Sequence, residues 1–305
     1  MRGMRGRTAL VTGSTGGIGR ETARGLAALG ARVVVVGRDG GRAGAVAAEI
    51  GRATGNPAVT ACVADLTLLT DVRRLAAEVA ARHGRLDVLV NNFGMNPADR
   101  ALTADGVETA FAANVLTPYV LTTELLPALR AAGGGARVVN VTGGLPDGPI
   151  DPTNLQGERR YRGWTFSHYN HTKTALMAMS LALAEEWADD GVTVNVAYPG
   201  HAHTPGNRAT PARAFPYAYR PLAPLIRLLG PVLLGDLARP ARSSVRLAGD
   251  PELAGVTGVY VDTRGRRARW PRSVLDEGNR AAVLELCARL AATNGGDREG
   301  GAETR

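Results

Sequence analysis

A glycine-rich segment near the N-terminus constrains the fold more strongly than any other feature of this sequence. Residues 12–19 read TGSTGGIG and follow a short apolar run at residues 8–11. Apolar side chains at helical spacing come next, so the glycines stand between a strand and a helix. There, glycine permits a tight turn, and the N–H groups at the helix start attract a pyrophosphate. We therefore expect a dinucleotide phosphate site built from Gly13, Ser14, Thr15, Gly17, Ile18 and Gly19.

Further apolar runs recur along the chain and are separated mostly by helical patterns. They occupy residues 33–36, 59–63, 88–90, 138–141, 192–196 and 258–261. Continuous apolar strands that alternate with helices are typical of a parallel sheet covered on both faces. The chain has 305 residues, of which 45% are hydrophobic, enough for one large core. The sequence predicts an α/β fold with a doubly wound parallel sheet of the Rossmann type, in a single domain at residues 5–290.

Two segments depart from this alternation. Residues 201–235 are rich in proline and in large apolar side chains. That composition favours a substrate lid, and a pair of helices docked on the core is the alternative. Residues 293–305 are glycine-rich and charged, with nothing to bury, so we expect a disordered tail.

The net charge of +8 does not by itself indicate a nucleic-acid partner. The arginines are dispersed along the chain except at residues 264–269, and dispersed charge is typical of a solvated surface. The longest apolar run, at residues 222–234, is interrupted by proline, glycine and arginine. It is also shorter than the roughly 20 apolar residues of a membrane span. We expect no nucleic-acid partner and no membrane span.

Cysteine and histidine give no sign of a metal site. Cys62 and Cys287 lie far apart and match no ligand spacing, which favours a reducing cytoplasm. The basic N-terminus lacks the apolar stretch of a signal peptide. His201 and His203 form a pair, but no acid or cysteine nearby completes a ligand set. We expect a cytoplasmic protein without a metal, in which these histidines line a substrate pocket.

Residues 169–173, YNHTK, carry a signal for acid–base chemistry. On a helix, Tyr169 and Lys173 are four residues apart and share a face. The lysine charge favours the phenolate, so we expect it to lower the tyrosine pKa from about 10 toward working pH. A tyrosine tuned in this way suits general acid–base catalysis.

The end of the second predicted strand bears on the choice of cofactor. It reads Gly37-Arg38-Asp39, with glycine where an acid would bind the adenosine ribose. Arg38 can pair with a 2′-phosphate, which favours NADP. A shift of one residue would let Asp39 bind the ribose hydroxyls instead, so NAD is the alternative.

These motifs together resemble the short-chain dehydrogenase/reductase family, whose signatures are TGxxxGxG and YxxxK. The string TGSTGGIGRETA and residues 154–158, NLQGE, are similar to its retinol-dehydrogenase-like branch, and the resemblance spans roughly residues 5–290. It implies an oxidoreductase that forms a dimer or tetramer and acts on a carbonyl or an alcohol. It implies a proton-relay role for Asn114 and a grip of Lys173 on the nicotinamide ribose. The other cofactor contacts that it implies are Asp65, Leu66, Asn91, Asn92, Gly94, Tyr169, Pro199, Gly200 and Thr204.

Two positions depart from the family pattern. Phe93 replaces the alanine of the family's NNAG. The fifth strand reads VNVTG where the family has VNVSS, so Gly143 replaces the serine that polarises the substrate carbonyl. We expect Thr142 to take over that role, with Ser167, His168 or a substrate hydroxyl as alternatives. The glycine is explained either by a positive φ angle or by room for a large substrate, and we favour the second.

The sequence as a whole predicts an NADP(H)-dependent ketoreductase for a bulky hydrophobic small molecule, such as a natural product. In this hypothesis Tyr169 exchanges the proton, and Lys173 and Asn114 support it. The rival hypothesis is a nucleotide-binding sensor or scaffold on the same fold, motivated by Gly143. The intact Tyr169 and Lys173 argue against the rival.

Overall fold

The computed structural model describes residues 3–144, 148–201, 211–222 and 236–293. Most of the predicted lid lies outside these ranges, as does the predicted tail apart from Thr293. The sequence predictions for Thr204 and His203 concern residues outside the described ranges.

An eight-stranded sheet forms the centre of the protein, in the order β3-β2-β1-β4-β5-β6-β7-β8. The first seven strands are parallel, and β8 runs antiparallel to β7. The strands are β1 Thr8–Val11, β2 Arg32–Gly37, β3 Val59–Val63, β4 Val88–Asn91, β5 Ala136–Val141, β6 Val192–Ala197, β7 Tyr260–Val261 and β8 Arg267–Ala268. The strand order reverses between β1 and β4, which confirms the predicted doubly wound Rossmann topology.

Helices cover both faces of the sheet. They are α1 Gly17–Ala28, α2 Gly40–Thr54, α3 Leu69–His83, α4 Thr109–Phe111, α5 Thr117–Glu124, α6 Leu126–Arg130, α7 His168–Glu186, α8 Ala238–Gly249, α9 Arg272–Leu275 and α10 Glu277–Thr293. A π-helical turn, Ala112–Leu116, joins α4 to α5. Among the helices in the described ranges, none is long and apolar enough to cross a membrane.

The valines of β2 show why the central strands are apolar at every position. Successive side chains of a strand point to opposite faces, so a strand covered on both sides must bury all of them. Val33 and Val35 pack with α1, α2 and α8, whereas Val34 and Val36 pack in the core that contains α3, α5, α7 and α10. All four are fully buried.

The carboxyl ends of β1, β4, β5 and β6 are neighbours at one edge of the sheet. The segments that follow them carry most of the predicted site residues. β5 and β6 are paired as far as Val141 and Ala197. Residues 142–144 and 198–200 therefore leave the sheet side by side.

Candidate active site

The glycine turn after β1 accepts little besides glycine. Gly13 and Gly17 have φ angles of 61° and 59°, in the left-handed region that favours glycine. A Cβ atom on Gly19 would lie 2.5 Å from the Gly13 carbonyl oxygen and would overlap the side-chain amide of Asn92. No described side chain caps the first turn of α1. The half-buried Ile18 belongs to that turn. Because the backbone N–H groups of that turn have no partner among the described side chains, the first turn of α1 forms a cradle that fits a pyrophosphate.

The polar residues of this turn bind the protein itself. Ser14 is fully buried, and its hydroxyl donates to the Val11 carbonyl at 2.6 Å and accepts the Val36 N–H at 2.9 Å. Because the hydroxyl is used within the protein, the predicted contact of Ser14 with a cofactor would be made by its backbone atoms. Thr15 covers the end of β2, where a Cβ atom on Gly37 would overlap its methyl group.

The asparagines after β4 fix the neighbouring loop. The side-chain amide of Asn91 donates to Asn140 Oδ1 at 2.8 Å, and Asn91 is buried. The side-chain amide of Asn92 donates to the Thr12 carbonyl at 3.0 Å. These bonds hold the β4 loop against β5 and the glycine turn, and so position Gly94.

Four segments of the chain converge at the predicted catalytic residues. A Cβ atom on Gly94 would lie 2.6 Å from Asn114 Oδ1 and 3.0 Å from Lys173 Nζ. A Cβ atom on Gly143 would lie 2.7 Å from the Tyr169 hydroxyl. The structure thus brings Tyr169, Lys173 and Asn114 together at the sheet edge, beside the loops that follow β4 and β5.

Burial sets the proton affinities of Tyr169 and Lys173, the predicted catalytic pair. It raises the pKa of Tyr169 to about 12, with a smaller contribution from Tyr198, and it lowers the pKa of Lys173 to about 8. The expectation that Lys173 lowers the tyrosine pKa is therefore wrong for the protein without cofactor. The reason is that the ammonium donates to the Val141 carbonyl at 3.1 Å, while desolvation disfavours both charged forms.

Asn114 connects the β4 loop to α7. It lies in the π-helical turn, a feature often found at functional sites. Its side-chain amide donates to the Met95 carbonyl at 2.9 Å and to Thr172 Oγ1 at 3.0 Å, and its oxygen accepts the Met95 N–H at 2.9 Å. The side chain therefore clamps two segments of the site.

Glu108 was missed by the sequence analysis. Its carboxylate caps α4, accepting N–H groups of Ala110 at 2.9 Å and Phe111 at 2.7 Å. It also lies 2.8 Å from His168 Nε2 and accepts the Tyr161 hydroxyl at 3.2 Å. Burial alone would raise the pKa of Glu108. The hydrogen bonds from His168 and from the two N–H groups outweigh it and hold the pKa below its ordinary value. This buried group joins the helix before Asn114 to the start of α7.

The end of β2, where the sequence predicts the adenosine ribose, carries a second arginine that the sequence analysis missed. Asp39 Oδ1 accepts the Arg42 N–H at 2.9 Å and caps α2, so its carboxylate already has a partner. Arg42 Nε donates to the Thr15 carbonyl at 3.3 Å, beside the glycine turn. Arg38 and Arg42 are both exposed at the end of β2. The signal available in the sequence was the spacing Arg38-x-x-x-Arg42, which puts both residues near one helix N-terminus.

The segment after β3 packs closely at the same edge. Asp65 Oδ1 accepts the N–H and the hydroxyl of Thr67 at 3.0 and 2.7 Å. Leu66 is buried, and its carbonyl accepts the Thr117 hydroxyl at 2.7 Å. The adenine contacts predicted for Asp65 and Leu66 stay predictions.

The segment after β6 adds another residue that the sequence analysis missed. Tyr198 precedes Pro199, and its hydroxyl donates to the Gly144 carbonyl at 3.2 Å. Gly200 has a φ angle of 76°, and a Cβ atom there would lie 2.6 Å from Thr263 Cγ2. The chain therefore needs glycine at position 200.

The candidate replacements for the family serine differ in their partners. The Thr142 hydroxyl donates to the Lys173 carbonyl at 3.3 Å, so it would have to give up that bond to serve a substrate. His168 is held by Glu108. Ser167 is buried at the start of α7 and does not cap it.

Metal ligands do not cluster in the part of the chain described. There, no group of three or more histidine, cysteine, aspartate or glutamate residues could hold an ion. His201 is exposed.

Gly143 makes room for Tyr169, the predicted catalytic tyrosine. Its φ angle is not positive, and the space beside it is occupied by the Tyr169 hydroxyl. We therefore expect Gly143→Ser to displace Tyr169 and lower turnover of small and bulky ketones alike, on the order of 100-fold, because misplacing a reacting group by about 1 Å has that cost. Gly135→Ser, where a Cβ atom meets nothing within 4 Å, is the control. Faster turnover of a small ketone by Gly143→Ser would refute this account.

The fold and the site together define the class of the protein. Residues 7–214 match the family described as short chain dehydrogenase. The chain belongs to this family, and it is an NAD(P)-dependent oxidoreductase of the retinol-dehydrogenase-like branch.

Individual relatives give a closer comparison. Human retinol dehydrogenase 13 is 34% identical over 274 residues, covering 89% of this chain and 81% of that protein. A protein of Streptomyces sp. (strain C5) named "Putative daunorubicin C-13 ketoreductase DnrU" is 34% identical over 263 residues, covering 86% of this chain and 85% of that protein. The solved structure "Pseudomonas aeruginosa RhlG/NADP active-site complex" superposes with a TM-score of 0.64 at 30% identity, over 86% of this chain and 96% of that one.

Proposed function

We propose that the protein is an NADPH-dependent ketoreductase for a bulky, hydrophobic carbonyl compound. The observation that carries the proposal is the convergence of Tyr169, Lys173 and Asn114 beside an uncapped helix start that fits a pyrophosphate. Relatives named for retinol and for daunorubicin support the substrate class.

The proposed chemistry divides between the cofactor and three side chains. When bound, the nicotinamide would supply the two electrons that reduce the carbonyl carbon. Tyr169 keeps its proton at neutral pH because burial raises its pKa to about 12, so it is ready to protonate the carbonyl oxygen. Lys173, with a pKa near 8, can return a proton to the tyrosine. Asn114 holds the β4 loop against α7.

Arg38 and Arg42 support NADPH over NADH. Arg38 is exposed beyond the tip of β2, Arg42 reaches the carbonyl of Thr15, and Asp39 is used in capping α2. Two guanidinium groups beside the adenosine ribose fit the extra phosphate of NADP, because arginine pairs with phosphate through charge-assisted bonds.

We expect Arg38→Ala to reduce the preference for NADPH over NADH by roughly 10- to 150-fold, the value of one charged hydrogen bond of about 1.5–3 kcal/mol. The double change Arg38→Ala with Arg42→Ala should bind both cofactors nearly equally. Fluorescence titration of each variant with NADPH and NADH measures the ratio. Arg52→Ala, an exposed arginine near the other end of α2, removes the same charge and should leave the ratio unchanged. An unaltered ratio in the double variant would refute the proposed role.

The proposed activity is tested by NADPH consumption with all-trans-retinal, an anthracycline ketone and a small ketone such as cyclohexanone. We expect turnover of the bulky carbonyls to exceed that of cyclohexanone. Tight NADPH binding without turnover of any carbonyl would favour the rival sensor or scaffold hypothesis, which the absence of the family serine at Gly143 motivates.

A further inference from the structure

The register of β5 and β6 places a tyrosine beside the residue that precedes the missing serine. Val141 pairs with Ala197, and the Thr142 N–H donates to the Ala197 carbonyl at 3.0 Å. The next residues on the two strands, Thr142 and Tyr198, are therefore neighbours, and Gly143 follows directly after Thr142. The Tyr198 side chain extends past this level, because its hydroxyl reaches the Gly144 carbonyl.

Contacts at Gly144 bring the two phenol rings close together. The Tyr198 hydroxyl donates to the Gly144 carbonyl at 3.2 Å. A Cβ atom on Gly144 would lie 3.4 Å from Cε1 of Tyr169. Both rings thus lie against the same residue, directly after the glycine that replaces the serine.

Two of the other candidate donors, Thr142 and His168, already bond the protein. The Thr142 hydroxyl donates to the Lys173 carbonyl, and the His168 ring is held by the buried Glu108. The Tyr198 bond of 3.2 Å is about as long as the Thr142 bond of 3.3 Å, but Tyr198 is half-buried whereas Thr142 is buried. The Tyr198 hydroxyl therefore has more room to turn to a second acceptor than the Thr142 hydroxyl has.

We infer that Tyr198 is a further catalytic residue, whose hydroxyl donates a hydrogen bond to the substrate carbonyl oxygen in place of the missing serine. This inference rests on the proposed ketoreductase function. When the nicotinamide of bound NADPH gives a hydride, one hydrogen nucleus with two electrons, to the carbonyl carbon, the carbonyl oxygen would become negative. The Tyr198 O–H turns from the Gly144 carbonyl to this oxygen and keeps its proton. Tyr169 supplies the proton that completes the alcohol.

The electrostatics of the site agree with this division of roles. Burial raises the pKa of Tyr198, so its hydroxyl stays a donor at working pH. Gly143 leaves the Tyr169 hydroxyl close to the strand end, where a Cβ atom would lie 2.7 Å from it. Two tyrosine hydroxyls on the substrate oxygen then replace the serine and tyrosine pair of the family.

Tyr198→Phe removes the hydroxyl and keeps the ring. We expect kcat for a bulky ketone to fall on the order of 100- to 1000-fold, as for loss of one oxyanion donor. NADPH affinity and the melting temperature should stay near their original values. Tyr119→Phe is the matched control, since Tyr119 lies on α5 and packs partly buried against the core. It should keep full activity.

A second readout observes the hydrogen bond without turnover. In a complex of the protein with NADP⁺ and a ketone labelled with ¹³C at the carbonyl, infrared difference spectra report the C=O stretch. We expect the stretch to lie below its value in water for the unchanged protein. Tyr198→Phe should shift it back upward, and Tyr119→Phe should not.

The outcomes separate this inference from the proposed function. If the unchanged protein reduces ketones and Tyr198→Phe does so within threefold of the same kcat, the inference is wrong and the function stands. If Tyr198→Phe weakens NADPH binding and lowers the melting temperature together with kcat, without moving the C=O stretch, the tyrosine only supports the loop and the inference is again wrong. If the unchanged protein reduces no carbonyl, both fail.

Discussion

Tyr169→Phe is expected to lower kcat for a bulky ketone by about 100- to 10,000-fold, the usual contribution of general acid catalysis. NADPH affinity should stay within a few fold, because the ring remains and only the proton-transfer group is lost. The structure strengthens this expectation, since burial raises the pKa of Tyr169 to about 12. The hydroxyl therefore carries its proton at every pH where the protein would be assayed.

Stopped-flow measurement of NADPH oxidation gives kcat for this variant, and fluorescence titration gives the cofactor affinity. Tyr119→Phe again serves as the control for loss of a tyrosine hydroxyl elsewhere in the core. Near-normal turnover by Tyr169→Phe would mean that the proton comes from another group and that the proposed mechanism is incorrect.

The second large effect concerns Lys173, which is the only lysine in the chain. All other lysine or arginine side chains of the chain are arginines, and the one lysine stands at the predicted catalytic position. Burial lowers its pKa from 10.5 to about 8. A neutral amine at this place can accept and return a proton near working pH, which an arginine cannot do.

Lys173→Met is expected to abolish most turnover and to weaken NADPH binding, yet to stabilise the protein without cofactor. The folded pKa is lower than the unfolded one, so the charged lysine costs free energy of folding below pH 8. The cost is about 3 kcal/mol at pH 7 and disappears as the pH rises from 8 to 10.5. Urea unfolding at pH 7 and pH 10 measures the difference between the two proteins. Equal stability of the two at pH 7 would refute the depressed pKa.

The single lysine also allows a direct titration. Protein made with ¹³C-labelled lysine gives one Cε resonance, and its shift against pH reports the pKa of Lys173 alone. We expect a midpoint near 8. A midpoint near 10.5 would contradict the burial of the ammonium group.

The sequence predicted the sheet well because its strands are buried on both faces. The run at residues 33–36 had to be valine throughout to fill two cores, and such a run is easily recognised. β8, Arg267–Ala268, was not predicted. It has two residues in an arginine-rich stretch without alternation, and its pairing with β7 depends on contacts that the local sequence does not encode.

The site was predicted where the chemistry is local and missed where it depends on packing between distant segments. The spacing of Tyr169 and Lys173 is a property of one helix. Tyr198 reaches Gly144 across 54 positions, and Glu108 meets His168 across 60. The wrong direction for the pKa of Tyr169 has the same origin, because helical spacing does not show how deeply a pair is buried.

Single contacts in the structure bear on two alternatives that the sequence left open: the role of Asp39 and the reason for Gly143. The Arg42 N–H donates to Asp39 Oδ1, so one oxygen of the acid that could have bound the ribose already has a partner. Of the two explanations for Gly143, a positive φ angle is excluded, and the space beside the glycine holds Tyr169. In the proposed function, Arg38 and Arg42 favour NADP over NAD, and fluorescence titration of their alanine variants with NADPH and NADH tests this preference.

The central claim is that this site passes hydrogen from NADPH to a bulky carbonyl, with Tyr169 as the acid. Its most direct test uses NADPH deuterated on the transferring face of C4, a bulky ketone, and mass spectrometry of the alcohol. The account expects one deuterium at the carbinol carbon with the unchanged protein, and almost no labelled alcohol over the same time with Tyr169→Phe. The account is contradicted if the alcohol carries no deuterium whichever C4 face of NADPH is labelled. Equal labelling of the alcohol by the unchanged protein and by Tyr169→Phe would also contradict it.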